Sequence, residues 1–441
     1  MHSPALPTKI TTARMFAIAG PAMIANLTTP LIGIVSTTAI GRLGDAALLG
    51  GVAMASVLFD CIFWMFGFQR MSTVAFTAQS LGAGQPSELR AILIRGFIVA
   101  ALIGAALILL QIPLVTILLG AMGGSDGVTR AAKAYFMIRI WSAPLVFCNF
   151  VILGWLIGQA RARLALGIQV AINLINVAAT VLLVLALDFG IAGAAIAAVI
   201  AEAAGLLLGI LIAGRLTHWK LAMSGAALFD RAVLVRMLSV NSDILIRTGS
   251  LIAVWLFFAS QGARAGDVAL AANSVLNNFL LVSAFFLDGF ANAAQQLCGH
   301  ALGARDRAGF AGAVRLVLIW GFGFSLVVAA VFALFGTSLI DIMTANSDVQ
   351  RVAREFLPFV IFAPLLGVFA FAYDGIYIGA TWARDMRNLM LLSLVIFLGA
   401  WLALRSFGNA GLWGALLVHY AARGGLEALR YPALLKASFK A

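Results

Sequence analysis

The sequence predicts an all-α polytopic membrane protein, with twelve transmembrane helices in two six-helix lobes related by a pseudo-two-fold axis along the membrane normal. Three observations predict it. Of 441 residues 63% are hydrophobic and 10% charged, with a mean hydropathy of +1.05, which is more apolar surface than a soluble core can hide. The apolar residues gather into twelve segments, each near the ~20 residues that cross a bilayer. The chain also repeats itself at an offset of about 221 residues, and a long repeat period points to an architecture built from two copies of one unit.

Taken in order, the apolar segments run over residues 13–39, 47–76, 91–119, 131–157, 164–187 and 190–214, and then 237–261, 268–292, 311–336, 355–379, 388–404 and 409–425. Between the sixth and seventh lies the basic stretch 215–236, the longest polar segment in the chain. It divides an N-terminal lobe, 1–214, from a C-terminal lobe, 237–441, and reads as a cytoplasmic linker.

The repeat supports the same division. "GRLGD" (Gly41 to Asp45) aligns with "ARAGD" (Ala263 to Asp267), "LGAG" (Leu81 to Gly84) with "LGAR" (Leu302 to Arg305), and "GWLIGQARAR" (Gly154 to Arg163) with "GIYIGATWAR" (Gly375 to Arg384). After a few deleted residues "FGIAG" (Phe189 to Gly193) aligns with "FGNAG" (Phe407 to Gly411). Six helices is an even number, so the two halves share one orientation, as in transporters that alternate access around a site near mid-membrane.

Charge sets the orientation. With the N-terminus inside, the tails and even-numbered loops hold 19 Lys and Arg, the opposite loops hold seven, and Arg70, Arg139 and Arg247 fall within helices. The positive-inside rule then places both termini in the cytoplasm. The net charge of +12 is accounted for by cytoplasmic loops beside anionic lipid, without a nucleic-acid partner. Cys61, Cys148 and Cys298 lack paired spacing, and His2, His218, His300 and His419 are scattered. Neither a disulfide framework nor a metal site is indicated, and no glycine-rich phosphate loop suggests ATP-driven pumping. A membrane enzyme is disfavoured because no nucleophile elbow or protease-type carboxylate pair is present. The first apolar run is long enough to remain as a helix instead of being cleaved as a signal peptide.

Ionised groups inside apolar segments mark the function, because each costs about 3 kcal/mol or more at membrane depth. Asp243 and Arg247 are spaced to share one helix face and pair. Asp288 and Asp374 lie in the eighth and tenth segments, and Asp60 in the second, where Arg70 or Arg139 could hold it as structural glue. Glu202, in the sixth, reads as an interhelical hydrogen-bond partner. Phe285, Phe286, Phe290, Tyr373 and Tyr377 flank Asp288 and Asp374, as a cavity for a flat cation would require. The competing reading for each ring is ordinary packing.

"PLIGIVSTTAIGRLGD", "FWMFGFQRMSTVAFTAQSLGAG", "VNSDILIRTGSL", "LDGFANAAQQLCGHALGARD" and "YDGIYIGATWARDMRN" together resemble the multidrug and toxic compound extrusion (MATE) family, in the branch of DNA-damage-inducible protein F. The resemblance spans nearly the full length. It implies a twelve-helix, two-lobed antiporter of the bacterial inner membrane, acting as a monomer without a cofactor. Such a protein expels organic cations or amphipathic compounds in exchange for protons or sodium. It also implies that Asp243, Arg247, Asp288 and Asp374 occupy the family's second-lobe motifs. In the first lobe two aspartates common in the family are replaced by Ser36 and Thr180, while Asn176 and Asn149 remain. Hydroxyls and amides can bind a cation or substrate but do not exchange a proton near neutral pH. The coupling chemistry is therefore expected in the second lobe, with Asp60 as the one group able to replace the missing first-lobe charge.

Among the second-lobe acids Asp374 ranks first as ion carrier, because no basic residue lies one helical turn away in its own segment. Asp288 ranks second, and Asp243 is poorer because Arg247 would hold it ionised. For sodium, the same acids with Asn277, Asn278 or Asn292 would supply oxygen ligands. The alternative function is a flippase for lipids or lipid-linked oligosaccharides of the same superfamily, which would need a cationic cavity.

Overall fold

The computed structural model describes residues 10–42, 44–218 and 228–439. His2, Lys9, Lys220, Lys440 and the middle of the expected linker lie outside the described residues. Among the described residues every regular element is helical. In chain order the α-helices are α1 (Thr12–Gly41), α2 (Ala46–Met65), α3 (Phe68–Gly82), α4 (Pro86–Leu109), α5 (Gln111–Met122), α6 (Asp126–Arg139), α7 (Ala143–Gly158), α8 (Ala162–Thr180) and α9 (Gly190–Thr217). After the linker come α10 (Arg231–Arg264), α11 (Asp267–Gly303), α12 (Arg307–Met343), α13 (Ser347–Gly379), α14 (Ala383–Leu404) and α15 (Gly408–Ser438).

Ten continuous helical stretches among the described residues are long and apolar enough to cross a membrane. The longest, residues 383–438, is two helices, since α14 and α15 pack against each other on either side of a 3-10 turn at Arg405–Phe407, where Gly408 takes φ 58°. With α1 the passes number twelve. Two passes carry local departures from α-helical geometry. Pro144 opens α7 after the 3-10 turn Ile140–Ser142, a position where its missing N–H costs nothing. Val181–Ala186 continues α8 as a π-helical stretch, the kind of bulge that recurs at functional sites.

The chain forms two compact units. One comprises Ile24–Leu81 and Gln85–Met237; the other comprises the residues through Met23, Gly82–Gly84 and Leu238–Ala441. The start of α1 thus belongs with the C-terminal residues, where Phe16 meets the rings of Phe290, at 6.0 Å, and Trp320, at 5.2 Å.

The repeat reappears as backbone geometry. Left-handed residues occur in register at Gly44 and Gly266, Gly84 and Arg305, Ala160 and Thr381, and Gly190 and Gly408. Three of these non-glycine positions, Ala160, Arg305 and Thr381, accept a conformation that costs an L-residue about 1–2 kcal/mol. They do so inside matching helix-ending turns. Arg161 N donates to Leu156 O at 2.9 Å, Trp382 N to Tyr377 O at 2.9 Å, and Asp306 N to Ala301 O at 2.8 Å, the six-residue closure that satisfies orphan carbonyls.

Packing repeats too. Gly154 and Gly158 of α7 lie so close to α3 that an added Cβ would come within 3.0 Å of Arg70 O and Val74 O, and Gly375 and Gly379 of α13 meet Ala291 O and Gln295 O of α11 in the same way. Arg70 and Val74 correspond to Ala291 and Gln295 at the 221-residue offset. Two GxxxG faces, one per half, therefore bring backbones together where lipid offers no hydrophobic drive and close packing must supply the attraction.

Candidate functional site

Close packing of α13 on α11 sets Asp374, the neighbour of Gly375, deep in the second unit, 4% exposed. Two arginines reach it from different helices. Arg247 of α10 and Arg423 of α15 both place Nη2 on Asp374 Oδ2, and they are 5% and 3% exposed. Arg423 also stacks over the Phe371 ring, 5.4 Å from its centroid. Glu427, one turn beyond Arg423 on the same helix face, is 1% exposed and attracts both guanidiniums electrostatically. Asp288 acts on both as well, and its carbonyl accepts a hydrogen bond from Asn292 Nδ2 at 2.8 Å. The result is a cluster of three carboxylates and two guanidiniums, all buried except the half-buried Asp288. Buried charges are retained only when paired.

This arrangement corrects the pairing expected from spacing. Asp243 and Arg247 share a helix face, yet each has a better-placed partner on another helix. Arg247 goes to Asp374, while Asp243 Oδ1 accepts from Arg387 Nη1 of α14 at 2.5 Å. It also changes the standing of Asp374. No base lies near it in its own segment, but two arrive from elsewhere, so it is the best-paired acid of the cluster. Arg387 and Arg423, counted with the cytoplasmic loops by their sequence position, lie on α14 and α15 in ion pairs. Arg95, counted likewise, is buried on α4, where Nη1 meets Glu88 Oε1 at 2.5 Å and Nε donates to Leu228 O at 2.8 Å.

Of the expected cavity aromatics Tyr377, Phe290 and Tyr373 are packed inside the unit, while Phe285 and Phe286 are half-buried. Tyr377 is fully buried, its hydroxyl donates to Glu427 O at 2.7 Å, and its ring meets Trp382 edge-on. Phe290 is 1% exposed between Phe16 and Phe324, and Tyr373 lies 5.9 Å from the Tyr431 ring. Burial of this kind serves packing; stacking on a ligand would need an open ring face. Asn277 and Asn278 lie on α11 more than two turns before Asp288, and Asn278 Nδ2 is engaged by Ser274 O at 2.9 Å.

In the first unit polar groups are fewer and mostly neutral. Asn149 Nδ2 donates to Glu202 Oε2 at 2.7 Å and to Glu202 O at 2.9 Å, the interhelical role read from the sequence. Asn173 Nδ2 donates to Thr28 Oγ1 at 2.8 Å. One and two turns further along α8, Asn176 and Thr180 are buried, with Asn176 Oδ1 and Thr180 Oγ1 lacking hydrogen-bond partners among the described residues. Ser36 is half-buried on α1. Asp60 is exposed; Arg139 acts on it electrostatically but donates Nη1 to Tyr135 Oη at 2.9 Å and lies 4.9 Å over the Phe59 ring.

The charged cluster belongs to one half alone. At the repeat offsets Asp374, Arg247 and Asp288 correspond to Leu153, Asn26 and Gly67, and Arg423 and Glu427 to Gly205 and Gly209. Arg423 and Glu427 were not singled out from the sequence, although His419, Arg423 and Glu427 recur every fourth residue on one helix face.

Twelve helical passes built from two copies of one unit, with a buried acid-rich ion cluster in one of them, define a polytopic membrane transporter. The chain belongs to the MatE family, whose model matches residues 21–182 and 246–400. It is 36% identical over 412 residues to the DNA damage-inducible protein F of Escherichia coli, covering 93% of this chain and 90% of that protein. It is 25% identical to a probable multidrug resistance protein NorM of Caulobacter vibrioides, covering 95% and 90% of the two chains. A crystal structure of the Vibrio cholerae MATE transporter VcmN shares the fold, with a TM-score of 0.86 at 19% identity, covering 97% of this chain and 98% of that one. The chain is an integral membrane transporter and not an enzyme.

Proposed function

We propose that the chain is a secondary-active antiporter that exports cationic or amphipathic small molecules in exchange for inward-moving protons or sodium, with its coupling chemistry in the second unit. The buried cluster around Asp374 carries this reading. Three carboxylates against two guanidiniums leave room for one positive charge, and burial of so costly a group of charges is expected where an ion or substrate is handled. Asp374 and Asp288, with Arg247, are working residues of the cluster, and Asp243, paired with Arg387, is a further candidate outside it; Asp60, Ser36, Asn149, Asn176 and Thr180 offer ligands in the first unit. The names of the relatives point the same way, one being a probable multidrug resistance protein. An acid-rich interior suits a cation better than the pyrophosphate of a lipid-linked sugar, so the flippase reading is not favoured. The protein works as a monomer in a bacterial inner membrane with both termini cytoplasmic. The test is drug susceptibility of cells that express the chain. Cells carrying the intact protein tolerate cationic dyes, and those carrying Asp374→Asn do not; equal susceptibility in both would remove the coupling role of the cluster.

A further inference from the structure

Among the three carboxylates of the cluster one stands apart. Both side-chain oxygens of Glu427 are buried without a hydrogen-bond partner among the described residues. Its nearest base, Arg423, is four residues away on the same helix face, yet Arg423 Nη2 goes to Asp374, as does Arg247 Nη2. We propose that Glu427 is the carboxylate that binds and releases the coupling proton, while Asp374 is a fixed anion that keeps both arginines engaged. This assignment rests on the antiporter reading given above.

Three physical arguments carry it. A carboxylate buried without a donor is costly as an anion and holds a proton or a cation instead. Protonating either acid brings the cluster to the same neutral sum, but the two choices differ in what they break. A proton on Asp374 would leave two buried guanidiniums without their partner, whereas a proton on Glu427 breaks no ion pair. The surroundings also favour a proton over a metal ion. Sodium keeps its full charge and needs a shell of oxygen ligands, and Glu427 has two guanidiniums beside it. A proton needs one carboxylate oxygen.

The groups that face Glu427 come from four helices. Arg423 lies on its own helix α15; Arg247 lies on α10; Tyr373 and Tyr377 lie on α13; and Asp374 on α13 and Asp288 on α11 act through the two arginines. The Tyr377 hydroxyl bonds the backbone carbonyl of Glu427 and not its carboxylate. His419, two turns earlier on α15, faces Ser393 O with Nδ1 at 3.4 Å. Close packing holds the site together, since a Cβ on Gly424 would come within 3.0 Å of Phe369 Cβ and Ala370 N on α13.

The experiment uses the full chain in proteoliposomes, with ethidium as the transported probe and an imposed proton gradient. Gradient-driven accumulation is expected in the wild type and lost in Glu427→Gln, while ethidium counterflow without a gradient survives. Glu427→Asp is expected to restore part of the accumulation. Infrared difference spectra between acid and neutral pH supply a readout independent of any variant's folding. A protonated-carboxyl band should shift in wild-type protein labelled with carbon-13 glutamate, remain unshifted with labelled aspartate, and vanish in Glu427→Gln. Full accumulation by Glu427→Gln, or a band that follows labelled aspartate, would overturn the assignment and leave the antiporter reading standing. Accumulation driven by a sodium gradient and indifferent to protons would overturn the proton. No gradient-driven accumulation by the wild type would overturn the antiporter reading itself and the assignment with it.

Discussion

Replacing Arg247 with Ala separates the ion pairs seen in the structure from the pair that helical spacing suggests. The substitution removes one of two guanidiniums from Asp374 and leaves Asp243 with Arg387 at 2.5 Å. Stripping one partner from a buried ion pair costs about 3–5 kcal/mol. Arg423 stays on Asp374, so the expected loss is near the low end, about 3 kcal/mol, and the cluster is left with three acids against one base. Residues in direct contact couple by about 0.5–3 kcal/mol in double-mutant cycles, whereas groups without shared partners add to within about 0.5 kcal/mol. Equilibrium unfolding in mixed micelles of rising SDS content, followed by the fluorescence of the nine tryptophans, measures both cycles. Arg247→Ala combined with Asp374→Asn should cost much less than the sum of the single changes. Arg247→Ala combined with Asp243→Asn should be additive. Strong coupling of Arg247 to Asp243 together with additivity toward Asp374 would refute the pairing and the cluster built on it.

Other outcomes follow from the same geometry. Ser36→Ala and Thr180→Ala each remove no more than about one hydrogen bond, roughly 1 kcal/mol, so transport rates in liposomes should change by about fivefold at most; loss of transport as complete as in Asp374→Asn would mean the first unit binds the ion or substrate through neutral oxygens. Asp60→Asn should leave gradient-driven accumulation at the wild-type level if the second unit alone carries the ion, and its loss with counterflow intact would assign Asp60 a coupling role. Gly379→Leu should destabilise the folded protein by more than about 2 kcal/mol, since its Cβ would press on the Gln295 backbone, and Gly158→Leu should do the same through Val74; SDS unfolding reads both, and a neutral effect would argue against backbone-close packing of these helices.

Much of the architecture is legible in the sequence because the bilayer imposes it. Apolar runs of a set length must be helices there, so the expected segments fall within the observed passes to within a residue or so, except that the third, 91–119, runs past the end of α4 at Leu109 into the short apolar helix α5; the Gly-rich repeat motifs recur as left-handed turns at Gly44 and Gly266 or Gly190 and Gly408. The cluster is only half legible. Asp243, Arg247, Asp288 and Asp374 stand out as charges in apolar runs, but who pairs with whom depends on which helices touch, and local spacing favoured the wrong partner for Arg247. Arg423 and Glu427 are illegible for a different reason. Arg423 falls at the end of the last apolar run, 409–425, and Glu427 just past it, where charges read as membrane-edge residues, whereas α15 continues to Ser438 and both side chains are buried. Tyr377 and Phe290 mislead in the opposite sense: aromatic residues next to a buried acid have the same composition whether they line a cavity or fill a core.

The most direct measurement of the central claim is ion-driven flux through the purified protein in proteoliposomes of defined orientation, comparing the wild type with Asp374→Asn and Asp288→Asn. The wild type is expected to accumulate an organic cation against its gradient when protons or sodium flow the other way, and both variants to insert normally but accumulate none. Full accumulation by both variants would contradict it.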